Sequence, residues 1–155
     1  MRKIDYIVVH CTGTKPDATL EGMKIHWKAL GWRNPGYHFV IYKDGSTARL
    51  ADDAKITNGA KGYNYKSIHV AYIGGINEFH RAGCTLTPEQ ANTLATILER
   101  LSKKYPDAKI VGHRDLSPDI NGDGRIEECE WVKQCPCFNV QDFLKTHNIT
   151  HYGKD

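Results

Sequence analysis

The sequence predicts an α/β domain. Three observations predict it. Short β-branched and aromatic runs alternate with amphipathic helical periods, turns bearing glycine or proline divide them, and 155 residues are about one domain with one hydrophobic core. Apolar residues make up 40% and charged residues 25%, ordinary globular usage. The 21 basic and 18 acidic side chains leave +3, too weak a balance to imply nucleic acid, though mildly suited to a polyanionic surface. No apolar run approaches the roughly 18 residues of a membrane span. The start, Met1 to Tyr6, is basic like a signal peptide, but Asp5 and His10 interrupt the apolar stretch and no small-residue cleavage site follows. The expectation is a protein made in the cytoplasm that stays there or leaves without a signal peptide. Five cysteines, Cys11, Cys84, Cys129, Cys135 and Cys137, are an odd count for a disulfide scaffold. They read as reduced thiols, one or more of them available to a metal.

Ile4 to His10 has no breaker and reads as a buried strand ending on His10. Thr12 to Asp17 is a polar loop. Thr19 opens a helix with Met23, Trp27 and Leu30 on one face, stopped by Gly31. Gly36 to Tyr42 is a second strand, and Lys43-Asp44-Gly45-Ser46 is a hairpin turn leading to a short third strand, Thr47 to Leu50. Tyr37 and His38 point to opposite faces, because side chains alternate along a strand. Ser67 to Gly75 contains a fourth strand, Ile68 to Ile73. Thr87-Pro88-Glu89-Gln90 is a helix start with a capping box, followed by the stripe Leu94, Ile97, Leu98 and Leu101. Lys109 to Gly112 is a strand that delivers His113. A last helix runs from about Val140 to His147, and Thr150 to Asp155 reads as a frayed tail. No repeat, low-complexity segment or linker is visible, so residues 1–155 read as a single domain.

The chemistry concentrates in two places. A catalytic zinc takes three nitrogen or sulfur ligands and leaves a position for water. His10, His113 and one late cysteine supply that set, provided the first strand and the strand before His113 are neighbours. Standing alone, His10 would read more simply as a hydrogen-bonded core histidine. Cys135-Pro136-Cys137 is a C-x-C pair and not the C-x-x-C of a redox site. The second place is Asp119 to Glu130. It carries Asp119, Asn121 and Asp123 at positions one, three and five of a calcium loop, and Gly124 at six. The Arg125 carbonyl falls at seven and Glu130 at the bidentate twelfth position. The expectation is a calcium clip that orders the approach to Lys133 and Cys135. The alternative is a solvated Asn-Gly-Asp-Gly turn. The flanking helices of a paired EF-hand are absent, which argues against a regulatory switch.

Taken in order, Ile7-Val8-Val9-His10-Cys11-Thr12, Gly31-Trp32, Gly36-Tyr37-His38-Phe39 and Lys43-Asp44-Gly45 resemble the N-acetylmuramoyl-L-alanine amidase family. That family includes phage lysozyme-type amidases and peptidoglycan recognition proteins. Ala60-Lys61-Gly62-Tyr63-Asn64, Ser67-Ile68, Gly74-Gly75, Gly112-His113-Arg114-Asp115 and Lys133-Gln134-Cys135-Pro136-Cys137-Phe138 continue the likeness from about residue 4 to 146. The resemblance implies a mixed central sheet of about five or six strands flanked by helices. It implies a zinc held by His10, His113 and Cys135, with Cys137 as a packing thiol, and it makes Tyr37 and Lys133 catalytic. The implied reaction is hydrolysis of the amide between N-acetylmuramic acid and L-alanine of peptidoglycan. No glutamate matches a catalytic position, so the general base stays open between Tyr37 and the water on zinc. The Asp119–Glu130 loop is an insertion relative to the short phage form, but the Lys-x-Cys-Pro order survives it.

Two rival readings come with the resemblance. Some relatives bind peptidoglycan without cutting it and typically lack the cysteine ligand, which this chain keeps. Certain phage amidases also inhibit a polymerase; the sequence names no such partner and no immunity protein. The expected route to the wall is release by a phage holin or by a contact-dependent effector system.

Overall fold

Residues 2–149 are described by a computed structural model. The expected tail, 150–155, lies outside the described residues. Eight elements follow one another: β1 (Tyr6–Cys11), α1 (Leu20–Ala29), β2 (Phe39–Ile41), β3 (Thr47–Arg49), β4 (Ser67–Tyr72), α2 (Pro88–Lys104), β5 (Lys109–Gly112) and α3 (Val140–Thr146). The strands form one mixed sheet in the order β3-β2-β4-β1-β5. β1 runs parallel to β4 and β5, and β2 runs parallel to β4, while the Asp44-Gly45 turn makes β3 antiparallel to β2. This is the mixed, helix-flanked sheet expected, with five strands.

Alternation along the strands divides the sheet into two faces. Ile7, Val9 and Cys11 of β1, Ile68, Val70 and Tyr72 of β4, and Ile110 of β5 pack with Leu94, Ile97, Leu98 and Leu101 of α2 and with Phe143 and Leu144 of α3. The other face takes α1, whose Met23 and Trp27 pack on Val40 and Ile73. His10 of β1 and His69 of β4 lie out of step with the main apolar set, on this second face. β1 is an inner strand and almost wholly buried, as a strand with parallel partners on both edges must be.

The helix signals behave as their chemistry dictates. Thr19 caps α1 by accepting the Gly22 N–H at 3.1 Å. At α2, the Gln90 N–H donates to Thr87 Oγ1 at 3.1 Å and the Thr87 N–H donates to Gln90 Oε1 at 3.0 Å. Gln90 is fully buried, so its amide needs partners on its other side too. Its Nε2 donates to the carbonyls of Ile41 and Ile73, tying the start of α2 to the ends of β2 and β4.

Two expectations need correction. Leu30 is 51% exposed and not part of the α1 stripe. The helix ends at Ala29, and Gly31, at φ +81°, turns the chain away before Leu30 reaches the sheet. β2 is also shorter than the run Gly36 to Tyr42. Regular pairing starts at Phe39, and His38 just before it is held by both backbone and side chain: its N–H donates to the His69 carbonyl at 2.9 Å and its Nδ1 accepts the His69 N–H at 3.0 Å.

Candidate metal centre

Because β1 and β5 are parallel neighbours, their carboxyl ends lie side by side. That edge of an open α/β sheet is where ligands bind. His10 is the penultimate residue of β1, and His113 follows β5 directly. Their rings meet at a centroid distance of 4.7 Å. Asp115 holds the turn after β5 by accepting the Gly112 N–H at 2.7 Å. A side chain at residue 112 would press on Pro136 and Val140, so glycine lets the late loop close over this strand end.

That loop brings Cys135. The Arg114 N–H donates to the Cys135 carbonyl at 2.9 Å, and the Tyr72 hydroxyl donates to the Pro136 carbonyl at 2.6 Å. Cys135 Sγ lies 3.7 Å from His10 Nδ1, and one donor atom from each of His10, His113 and Cys135 falls within 4.8 Å of the others. Among the described residues this is the one group of three or more His, Cys, Asp or Glu side chains so arranged. Tetrahedral zinc with bonds of about 2.0–2.1 Å to nitrogen and about 2.3 Å to sulfur separates those two ligand atoms by about 3.5 Å. The observed spacing and the two-nitrogen, one-sulfur donor set fit such an ion. The backbone N–H of Cys11 also donates to Cys135 Sγ at 3.2 Å, which helps fix where the sulfur sits.

Cys137 is turned elsewhere. Its backbone has φ +71°, and its Sγ lies 4.0 Å from Cys11 Sγ and 3.9 Å from the Gly75 carbonyl. It packs beneath the centre, and the Cys11 contact, with burial, raises its pKa. Cys11 is raised to about 12, the contact with Cys135 being the first cause. All five cysteines are free thiols.

Burial holds His10 well below the ordinary histidine value, with His69, His113 and Lys133 adding to the effect. His113 is lowered to about 4 by burial and then by Lys133. Both imidazoles are therefore neutral near pH 7, the state in which a ring nitrogen offers a lone pair to a metal. Lys133 is exposed on the rim, close enough to bias both rings. Tyr37 stands beside them, its ring 5.1 Å from that of His10 and 5.8 Å from that of Trp27, and its hydroxyl points at the Cys11 carbonyl at 3.5 Å. Burial, with Cys135 and Cys11 nearby, raises Tyr37, so it keeps its proton at neutral pH. His113, Cys135, Tyr37 and Lys133 line a cleft of ≈ 490 Å³ whose walls include Trp27, Trp32, Lys61, Tyr63 and Val132, and no aspartate or glutamate, while His10 is buried beside them. Trp32, Lys61 and Val132 carry no role in the sequence reading; only the folded chain shows them facing the cleft.

The histidines make a pH prediction. His38 and His113 are lowered to about 4 and His69 to about 3, in each case first by burial, against an unperturbed 6.5. Between those values the unfolded chain binds protons that the folded chain refuses. Stability therefore rises with pH across that window. The contribution is fully present above 6.5 and is lost as pH falls toward 4 and then 3. The melting temperature of metal-free protein is expected to drop steadily from about pH 6.5 downward. A flat profile to about pH 4 would show that the rings are protonated in the folded state.

In the Asp119–Glu130 segment the carboxylate and amide side chains bond to the loop's own backbone. Asp119, Asn121 and Asp123 are exposed and accept backbone N–H groups of their own loop, from Gly122 and Gly124, Asp123, and Arg125 respectively. Glu130 is 4% exposed, and its carboxylate accepts N–H groups from Ile120, Asn121 and Glu127 at 2.8, 3.1 and 2.9 Å. Asp119, Asp123 and Glu130 do not converge as the two histidines and Cys135 do. Glu130 closes the loop itself, because three donors lie within reach of one buried carboxylate. Glu130→Gln is accordingly expected to destabilise the chelated protein by about 1.5–3 kcal/mol, the worth of a hydrogen bond to a charged group. For a domain of this size that lowers Tm by roughly 3–10 °C. An unchanged Tm in chelator would show that the carboxylate does not hold the loop.

The chain matches the family described as N-acetylmuramoyl-L-alanine amidase over residues 1–137. It is similar to the endolysin of Escherichia phage T7, 34% identical over 147 residues, covering 94% of this chain and 88% of the relative. Among solved structures it is similar to N-acetylmuramoyl-L-alanine amidase LysC from Clostridium intestinale, with TM-score 0.72, 26% identity and coverage of 96% and 88%. Bumblebee PGRP-SA shares the fold, with TM-score 0.69, 20% identity and coverage of 94% and 82%.

Proposed function

The chain belongs to the N-acetylmuramoyl-L-alanine amidase family, and from that premise we propose that it is a zinc-dependent endolysin-type amidase that cleaves peptidoglycan between N-acetylmuramic acid and L-alanine. The observation that carries this reading is the convergence of His10, His113 and Cys135 beside a cleft whose lining includes His113, Cys135, Tyr37 and Lys133. His10, His113 and Cys135 would hold the ion. When bound, it supplies Lewis-acid polarisation of a carbonyl and a water acidified to near neutral pH.

The chain's own residues supply the rest. An amide carbonyl under attack gathers negative charge on oxygen. The Lys133 ammonium and the Tyr37 hydroxyl are the donors at hand to meet it. Tyr37, which keeps its proton, acts by donating and not as the base. The cleft lining holds no carboxylate, so none of its side chains is an Asp or Glu base. Lys61 and Lys133 give it a positive character suited to a stem peptide bearing free carboxylates. Trp27, Trp32 and Tyr63 offer apolar faces to the sugar and peptide backbone.

No described helix is long and apolar enough to cross a membrane. The proposal therefore leaves delivery to the wall to another agent, such as a holin. Calcium has no part in this reading.

The test is digestion of purified peptidoglycan with the zinc-loaded protein. New N-terminal alanine should appear as turbidity falls, and chelation should stop both. New reducing sugar ends without new alanine termini would mean that a glycosidic bond is cut. Binding to the wall with no new termini would mean a recognition module.

A further inference from the structure

The two ring nitrogens of His10 face different neighbours. Nδ1 faces Cys135 Sγ, and Nε2 meets His69 Nδ1 at 2.8 Å. The line continues from His69 Nε2 to Asn64 Oδ1 at 3.0 Å. Its far end determines where the protons sit. Asn64 Oδ1 also accepts the backbone N–H of Ala60 at 2.8 Å, which identifies that amide atom as the oxygen. An amide oxygen only accepts, so His69 Nε2 carries a proton. A neutral imidazole carries one proton, so His69 Nδ1 presents a lone pair. Two lone pairs cannot share a hydrogen bond. His10 Nε2 must therefore donate, which leaves His10 Nδ1 proton-free on the side of Cys135 and His113.

We propose that His69 is a positioning residue for metal binding, accepting the His10 Nε2–H and so holding His10 in the tautomer and ring orientation that a metal ion requires. The proposal rests on the zinc-centre reading above. Its geometry is rigid. His69 is fully buried, its backbone N–H donates to His38 Nδ1, and its carbonyl accepts the His38 N–H at 2.9 Å. Its ring fills the space beside Gly59, where an added Cβ would come within 2.6 Å of ring atoms. Glycine at 59 is what leaves room for the imidazole. A buried ring in such a place is costly unless both nitrogens are matched, and here both are. Metal-bound histidines generally donate their second N–H to an acceptor that orients them, and losing that acceptor weakens the metal roughly 10–100-fold. Here the acceptor is a second histidine.

The experiment uses the whole chain with His69→Leu, His69→Asn and Gly59→Ala. Zinc affinity is measured by competition with a chromophoric chelator. The His10 tautomer is read in metal-free protein from imidazole nitrogen chemical shifts. Wild type is expected to show His10 protonated at Nε2. His69→Leu should weaken zinc by roughly 10–100-fold and erase the tautomer preference. His69→Asn, whose amide oxygen can stand near the position of Nδ1, should recover most of both. Gly59→Ala, which crowds the ring and leaves its chemistry intact, should fall between them and serves if the leucine variant does not fold. Unchanged zinc affinity in the variants of a zinc-binding wild type, or His10 protonated at Nδ1 in metal-free wild type, overturns the positioning role alone. Failure of the wild type to bind zinc overturns the metal-centre reading, and this proposal with it.

Discussion

Cys135→Ser is expected to lose both zinc and amide hydrolysis, while Cys137→Ser keeps most of both. The two thiols are two residues apart and chemically identical, so only geometry separates them. Cys135 Sγ lies within 3.7 Å of His10 Nδ1 and belongs to the donor cluster. Cys137 Sγ faces Cys11 and the Gly75 carbonyl. A serine at 135 replaces a soft anionic ligand with a neutral hydroxyl that zinc binds poorly. The loss of affinity should exceed the roughly 10–100-fold cost of removing an outer partner of the site. At 137 the same change removes a packing atom beneath the centre, and the expected cost is a stability loss of about 1 kcal/mol. Zinc content by atomic spectroscopy and alanine release from peptidoglycan measure the two effects. Equal zinc loss in both variants would reverse the assignment.

Lys133→Ala and Tyr37→Phe are each expected to lower kcat by about 10²–10³-fold, the cost of one oxyanion donor, with zinc content unchanged. Lys133 lies on the rim and biases the two histidines through its charge without belonging to the donor cluster. Removing it relieves His10 and His113 of a repulsive cation, so metal binding should hold or tighten slightly. Tyr37→Phe keeps the ring that packs against His10 and Trp27 and deletes only the hydroxyl. A variant with full zinc and near-normal kcat would place oxyanion stabilisation elsewhere. A variant that loses zinc would show a structural role instead. Substrate binding and turnover should be separated, because a donor used only in the transition state lowers kcat and leaves KM little changed.

The sequence by itself determined what local chemistry encodes. The Thr87–Gln90 capping box, the leucine stripe of α2, the Asp44-Gly45 turn and the strand ending at His10 all follow from side chains within a few residues of one another. Their outcome is decided by backbone hydrogen bonding and by period. The ordered motifs also named the family, and with it Tyr37, His113 and Lys133. What only the tertiary structure decided are choices between groups that look equivalent along the chain. The resemblance already preferred Cys135 to Cys137, but the physical difference between the two thiols, a backbone turn at φ +71° that sends Cys137 toward Cys11, exists only in the fold. Glu130 falls at the twelfth position of a calcium loop, and only the fold shows its carboxylate accepting three backbone N–H groups. Leu30 falls in phase with Trp27, yet the helix ends before it. His69 reads as one more strand residue until the parallel register of β1 and β4 sets it beside His10, opposite the gap at Gly59. In each case the deciding partner is distant in sequence or belongs to the backbone, and neither composition nor spacing records where such a partner will lie once the sheet has formed.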